Sequence, residues 1–339
     1  MPGQPGSSGA ARRRPTIYDI AQAAGVSTAA VSLAMNHRGR LNADSERRIL
    51  KVADALGYRA NPFARAVATG STKLIGLLVH DSANPVFGGA IRGVTDAASS
   101  AGYTVVVADT HDESTPVDLI LERLLPFVDG VISCSTRVTP EVLAGAVTRP
   151  IVLVNREAPG YASVVPDVGA ATRAAVRLLV EQGHRDLAFV AGHHESWLSA
   201  HRLAVLEAAV AMTSATLAAV VHAEPTIAGG RAALSQLEHR CSAILTFNDL
   251  IAFGVLLEAR SRGLRVPGDL SVIGYDDTFA AALVTPPLTT ISTELTEASR
   301  WATASLIATI ANEPPERSTV PEGRLQVRES VGPPAVRRA

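Results

Sequence analysis

Apolar and polar positions divide the chain into two regions with different periodicities. Over residues 16–60 the apolar side chains recur at helical spacing, as at Ile20, Ala21 and Ala24. From residue 74 onward, short apolar runs of strand length replace that spacing, and most of them are separated by segments long enough to form a helix. The pattern therefore predicts a small helical head followed by a larger α/β region.

The head contains start and stop signals for three helices. Ser, Thr and Asn side chains cap helix beginnings, whereas glycine permits the left-handed turn that ends a helix. The predicted caps are Thr16, Ser27 and Asn42, and the predicted ends are Gly25, Asn36 and Gly57. Three short helices in about 45 residues predict a compact helix-turn-helix unit.

The larger region carries seven apolar runs, which are LIGLLV (74–79), YTVVVAD (103–109), GVISC (130–134), PIVLVN (150–155), LAFVAG (187–192), AILTFN (243–248) and LSVIGYD (270–276). Buried runs that alternate with helices predict parallel strands joined by βαβ crossovers. We expect two doubly wound parallel sheets, divided near residue 165. Polar residues follow most runs, and ligands of such folds bind beyond the carboxyl ends of the strands, so a cleft for a polar small molecule is expected.

Charge is distributed unevenly between the two regions. The whole chain has a formal net charge of -1, but residues 1–70 hold ten Lys or Arg and four acidic residues, a balance of +6, and the remainder carries −7. A basic head on an acidic body favours a polyanionic partner for the head. The chain shows neither a signal peptide nor a run of the ~20 apolar residues that a membrane helix needs, so we expect a cytoplasmic protein without a membrane partner.

Motifs for catalysis are missing from the sequence. There is no phosphate-binding loop and no nucleophile elbow, and the glycines of GGAIRG (88–93) do not match a dinucleotide fingerprint. His193, His194 and Glu195 lack the spacing that places two metal ligands on one helix face, and Asp276 and Asp277 are adjacent rather than a spaced acid/base pair. We therefore predict no catalytic residue, metal or cofactor. A Rossmann-like enzyme and an exported solute-binding receptor are the rival classes, and the basic head argues against the receptor.

The second helix of the head is the predicted DNA-reading element. In helix-turn-helix proteins this helix enters the major groove, and its early residues reach the base edges. Those residues here are Thr28, Ala29 and Ser32, and the preceding Ser27 places backbone N–H groups where a phosphate can dock. The alternative is a generic three-helix unit that binds protein.

Residues 16–36, TIYDIAQAAGVSTAAVSLAMN, resemble the N-terminal signature of the LacI/GalR family of bacterial transcription regulators. The motifs NPFAR, STKLIGLLV, GHRDLAFVAG, NDLIAFG and GLRVPGDLSVIGYDD continue the resemblance in order, over about residues 16–330. It implies a helix-turn-helix head joined to a periplasmic-binding-protein-like core of two subdomains. It also implies a homodimer, with a tetramer as the alternative, on double-stranded operator DNA.

The resemblance assigns further roles in the head. Tyr18 matches a phosphate contact, residues 61–67 match a hinge helix, and Val67 matches the side chain that wedges into the minor groove. Three departures from the family affect which operator is bound: Leu33 replaces a base-contacting Arg or His, Ala29 is too short to bond a base, and Val67 is smaller than the usual leucine. The predicted DNA-contacting residues are Thr16, Tyr18, Ser27, Thr28, Ala29, Ser32, Asn36, Arg38, Arg40, Asn61, Arg65 and Val67.

Four residues carry the effector prediction, each with an alternative role. Asp276 follows a strand and can accept hydrogen bonds from sugar hydroxyls, or it caps a helix. Arg202 matches a ligand-binding arginine of the family, or it forms a surface salt bridge. Asn248 matches a family position in the cleft, or it caps the helix over 249–262. Phe87 stacks on a ligand ring, or it packs in the core.

Asn155 and Trp197 complete the predicted effector set. Ser196 and Leu198 stand where purine-responsive relatives carry Arg and Thr, which disfavours a purine and favours a sugar or a sugar derivative. The resemblance also predicts the organisation of the chain. It gives a tail (1–15), the DNA-binding head (16–60), a hinge and linker (61–72) and an effector-binding core (73–335), with subdomains at about 73–164 with 293–321 and about 165–292 with 322–335.

Overall fold

The chain divides into two compact units between Thr72 and Lys73. The computed structural model describes residues 15–36, 41–59, 70–111, 115–146, 149–237, 240–314 and 320–335. Residues 1–14 of the predicted tail (1–15) and most of the predicted hinge lie outside the described residues. The finer division of the core into subdomains stays a prediction, and each unit is considered by itself below.

The first unit contains three helices, α1 (Ile17–Ala24), α2 (Thr28–Asn36) and α3 (Ala43–Ala55). α1 begins at a capping box, in which the backbone N–H and the hydroxyl of Thr16 donate to Asp19 Oδ2 over 2.7 and 2.8 Å. Gly25 ends α1 at φ 65°, a left-handed conformation that glycine adopts without steric cost. Ile20, Val31 and Ile49, one from each helix, are fully buried together, so the apolar positions read from the sequence form the core of the head.

A five-stranded parallel sheet opens the second unit. Its strands are β1 (Leu74–Val79), β2 (Thr104–Asp109), β3 (Gly130–Ser133), β4 (Ile151–Val154) and β5 (Ala162–Val164), in the order β2-β1-β3-β4-β5. The connecting helices are α4 (Val86–Ser100), α5 (Val117–Leu124) and α6 (Pro140–Ala146). Leu77, Ile132 and Val152 on the strands face a core that residues from much later in the chain complete.

The second sheet has six strands. They are β6 (Asp186–Ala191), β7 (Thr216–His222), β8 (Ala243–Thr246), β9 (Ser271–Tyr275), β10 (Thr289–Ser292) and β11 (Arg324–Gln326), in the order β11-β10-β9-β8-β6-β7. All pairs are parallel except β10 with β11. Its helices are α7 (Gly169–Glu181), α8 (Trp197–Val210), α9 (Ile227–Leu237) and α10 (Asp249–Ser261).

The chain passes between the two sheets more than once. After β10 it returns to the first sheet as α11 (Leu295–Ile310), whose Ala298, Ala302 and Leu306 are fully buried in the first-sheet core. Backbone hydrogen bonds join the segments that cross between the sheets. For example, the N–H of Asp167 donates to the Pro321 carbonyl over 2.9 Å. In the described part of the chain, no helix has both the length and the apolar character needed to span a membrane.

All seven predicted runs form strands, and the predicted class of two doubly wound sheets is confirmed. Four strands were not predicted: β5, β7, β10 and β11. β7 lies at the edge of its sheet and does contain an apolar run over residues 217–221, but the surrounding segment over 210–225 lacks the glycine-containing turn that would mark the bounds of a strand. β10 consists of Thr289, Thr290, Ile291 and Ser292. Three of these four residues are polar, so the sequence does not show the apolar run by which the other buried strands were predicted.

Candidate functional site

The head presents the predicted base-reading residues on one side of α2. Thr28, Ala29 and Ser32 are spaced i, i+1 and i+4 along the helix, and Ala29 is exposed. Ser27 Oγ accepts a hydrogen bond from the Ala30 N–H over 3.2 Å, so this serine caps the helix as expected. Thr28 and Ser32 each contribute one hydroxyl to this face, which is the face predicted to enter the major groove of DNA.

Tyr18, the predicted phosphate contact, lies on α1 and is 70% exposed. Leu33, the departure from the family pattern, is half-buried on α2. Asn36 is the last residue of α2. The predicted contacts Arg38, Arg40, Asn61, Arg65 and Val67 lie outside the described residues, so their roles stay predictions.

The second unit contains a cavity of about 70 Å³ between the carboxyl ends of the two sheets. All six predicted effector residues line it: Phe87, Asn155, Trp197, Arg202, Asn248 and Asp276. They come from loops and helix starts that follow five different strands. The fold therefore gathers at one place side chains that are up to 189 positions apart in the chain.

A buried ion pair joins two of these residues. Arg202 Nη2 lies 3.0 Å from Asp276 Oδ1, and their side chains are only 3% and 8% exposed. Arg202 Nη1 also donates to the Phe247 carbonyl, and its guanidinium stacks over the rings of Phe247 and Tyr275 at 4.9 and 4.6 Å. The surface salt bridge considered for Arg202 is wrong, because the pair forms in the interior.

Asp276 occupies an unusual backbone position. Its φ is 105°, which a residue with a side chain rarely adopts, and such strain is characteristic of functional sites. Burial raises the pKa of Asp276, and the charge of Arg202 opposes that effect. The remaining oxygen of this carboxylate can accept hydrogen bonds from a ligand hydroxyl.

A second carboxylate, Asp249, lies behind the cavity wall and was not predicted. Its oxygens accept hydrogen bonds from the Thr278 N–H over 2.7 Å and from the Thr290 hydroxyl over 2.6 Å. Burial, followed by the charge of Asp276, raises the pKa of Asp249 to about 7. A Cβ on Gly274 would lie 2.3 Å from Asp249 Oδ1, so only glycine allows this approach. The signal in the sequence that could have indicated Asp249 was Gly274, a glycine within a buried strand.

Asn248 and Phe87 both have the structural role that was considered for them. Asn248 Oδ1 accepts from the Ile251 N–H over 2.9 Å and thus caps α10, while its Nδ2 donates to the Pro225 carbonyl over 3.1 Å. Phe87 is 9% exposed and belongs to the first-sheet core. Both also line the cavity, and their ligand-binding role stays a prediction.

Asn155 and Trp197 line the cavity from different sheets. Asn155 follows a strand of the first sheet, and Trp197 follows a strand of the second. Asn155 follows β4 with φ 60°, in the left-handed region that asparagine adopts more readily than most residues. Trp197 is the first residue of α8, and its indole stacks on His201 with ring centroids 4.9 Å apart and planes 8° apart. Burial lowers the pKa of His201, which favours the neutral ring in this stack.

The cavity also contains titratable residues that the sequence prediction omitted. His80 follows β1, His193 follows β6, and Arg156 follows Asn155. Burial lowers the pKa of His80, and the nearby His193 lowers it further. These positions follow strand ends, where ligands of such folds bind, so their place in the sequence was a signal. Their residue types alone did not distinguish cavity-lining residues from ordinary loop residues. Within the described residues, no group of three His, Cys, Asp or Glu side chains can hold a metal ion.

Comparisons with known proteins agree with this architecture. Residues 16–61 match the bacterial regulatory proteins of the lacI family, and residues 159–331 match a periplasmic binding protein-like domain. The transcriptional repressor CytR of Escherichia coli K12 is 30% identical over 305 residues, which cover 86% of this chain and 89% of CytR. The chain belongs to the LacI family.

Other relatives of this LacI-family regulator cover nearly the same extent. The PurR repressor of Vibrio campbellii is 30% identical over 290 residues, 81% of this chain and 86% of that protein. The lac repressor dimer bound to operator and the anti-inducer ONPF has the same fold, with a TM-score of 0.84, 24% identity and coverage of 94% of this chain and 100% of that one. A complex of the regulator CelR with cellobiose gives a TM-score of 0.66 at 27% identity, with coverage of 94% and 100%.

Proposed function

We propose that this LacI-family transcription regulator is a repressor whose operator affinity is controlled by a sugar or a sugar derivative bound in the cavity. The supporting observation is the convergence of the six predicted effector residues on one cavity around the buried Arg202–Asp276 pair. Sugars are recognised by such combinations of carboxylate, guanidinium and amide groups with an aromatic wall. The regulator CelR is described in complex with cellobiose, which supports the same class here.

The proposed mechanism couples the cavity to DNA through the geometry of the core. A ligand that binds one relative position of the two sheets more tightly than another shifts the protein toward that position. In a homodimer this shift changes the spacing of the two heads and hence the fit to a palindromic operator. The proposed place of action is the cytoplasm, at the nucleoid, and no catalytic activity is part of the proposal.

An electrophoretic mobility-shift titration tests the proposal. The full chain is titrated onto duplexes from its own promoter region, with and without a panel of sugars. We expect at least one sugar to change the midpoint of the titration about tenfold or more, and we expect Asp276→Asn to abolish that change. Asp269→Asn is the matched control, because Asp269 pairs with the exposed Arg265 and does not line the cavity. If no sugar changes the midpoint, or if Asp276→Asn responds like the wild type, the sugar proposal is wrong.

A further inference from the structure

Trp197 lies between two spaces. It lines the cavity described above, and it also lines a shallow groove outside that cavity, together with Glu157, Pro159, Tyr161 and Ser163. The stack on His201 holds the indole in place from one side. One fixed aromatic side chain therefore forms a wall of both the cavity and the groove.

A single stretch of chain connects the two spaces. β4 ends at Val154, and the next two residues, Asn155 and Arg156, line the cavity. The chain then continues through residues 157–163, several of which line the groove. The cavity and the groove are thus neighbours, with this segment on one side and Trp197 shared between them.

A buried donor without an acceptor belongs to this connecting segment. Arg156 Nη1 donates to the Thr136 carbonyl over 3.2 Å, but Arg156 Nε is buried and has no hydrogen-bond partner among the described residues. A buried polar atom that makes no hydrogen bond is costly, and it is usually satisfied by a group that is absent from the chain itself. An ether or hydroxyl oxygen of a ligand would satisfy it.

The groove has the chemistry of a sugar subsite. Trp197 and Tyr161 provide aromatic rings that can pack on the apolar face of a pyranose. Glu157 provides a carboxylate, and Ser163 a hydroxyl, for the sugar hydroxyls. The groove measures about 550 Å³, so a second sugar ring has space there.

We propose that the effector is a disaccharide, with one ring in the cavity, an oxygen near the junction bonded to Arg156 Nε, and the second ring in the groove against Trp197 and Tyr161. This inference rests on the proposed function, because it specifies the sugar class that the same site binds. It assigns Glu157, Tyr161 and Ser163 to effector recognition, in addition to the residues predicted from the sequence.

Isothermal titration calorimetry with the full chain tests the inference. The ligands are matched sets of a monosaccharide and its disaccharides: glucose with cellobiose and maltose, galactose with lactose, and xylose with xylobiose. We expect at least one disaccharide to bind with a Kd at least about tenfold lower than that of its monosaccharide, because only the disaccharide reaches the groove.

Two substitutions separate the groove from the cavity. Glu157→Ala removes an exposed side chain that lines the groove and not the cavity, so it should raise the Kd of the disaccharide to the level of the monosaccharide and leave the monosaccharide Kd unchanged. Glu195→Ala is the matched control, because Glu195 is also exposed but lines neither space, and both Kd values should stay as in the wild type.

Fluorescence gives an independent readout of position. Trp301→Phe leaves Trp197 as the only tryptophan of the chain. We expect the disaccharide to protect Trp197 from acrylamide quenching more strongly than the monosaccharide does, because the second ring covers the groove side of the indole.

Three results would overturn the inference. These are disaccharides that bind no more tightly than their monosaccharides, an equal loss of both sugars in Glu157→Ala, or no binding by any disaccharide. If monosaccharides alone bind and change operator affinity, the proposed function stands and only the disaccharide inference fails. If no sugar binds and operator affinity never responds, both fail.

Discussion

Removing one partner of the Arg202–Asp276 pair should destabilise the core strongly. Arg202→Met keeps most of the side-chain volume but leaves the Asp276 carboxylate buried without its cation. Breaking a buried pair in this way costs about 3–5 kcal/mol of the free energy of unfolding, because the desolvated charge stays in place. The loss here should lie toward the upper end, because the charge of Asp276 already raises the pKa of the nearby Asp249 and Arg202 also donates to the Phe247 carbonyl.

Urea unfolding followed by tryptophan fluorescence measures this loss. The double variant Arg202→Met/Asp276→Leu removes both charges, so it should recover most of the stability that the single variant loses. The single variant should also gain stability as the pH falls. Without Arg202, the folded-state pKa of Asp276 lies further above its unfolded value, so protonation favours the folded state over that interval. A loss below about 1 kcal/mol, or a double variant no more stable than the single one, would refute this electrostatic argument.

Two further predictions concern Asp249 and the head. The pKa of Asp249 is about 7 in the folded protein against an ordinary value of 3.8, so its contribution to the free energy of unfolding should decrease as the pH rises between these values. Urea titrations of wild type and Asp249→Asn across that range should therefore give a difference in the free energy of unfolding that changes with pH. A constant difference would contradict the assignment. Ile20→Ala, at a fully buried position of the head, should lower the free energy of unfolding of the head by about 2–5 kcal/mol and abolish operator binding in a mobility-shift assay. Sugar binding measured by calorimetry should stay unchanged, because the core is a separate compact unit. A parallel loss of sugar binding would show that the two units fold together.

The sequence predicted those parts of the fold that depend on local signals. The caps at Thr16, Ser27 and Asn42 and the stop at Gly25 are local, and the helices of the head begin where these residues placed them. The seven predicted strands of the core were recognised because each is a continuous apolar run, although β2 lies at the edge of its sheet and is largely exposed. β10 was missed because its threonines serve buried hydrogen bonds, for example from Thr290 to Asp249, rather than apolar packing.

The site was predictable residue by residue but not as a geometry. Strand ends and family motifs identified Arg202 and Asp276 separately, yet nothing local indicates that residues 74 positions apart form a pair. The same holds for the groove. Glu157 and Tyr161 have no distinctive motif, and they become candidates only because the fold places them beside Trp197.

The return of α11 to the first sheet has a consequence for synthesis on the ribosome. Strands β1–β5 are complete at Val164, but the helix that covers one face of this sheet extends to Ile310. At about 5–20 residues per second, translation of the intervening stretch takes roughly 7–30 s. During that interval the apolar surface later covered by Ala302 and Leu306 is open to water, and the nascent polypeptide presents a binding surface for chaperones until its last long helix leaves the exit tunnel.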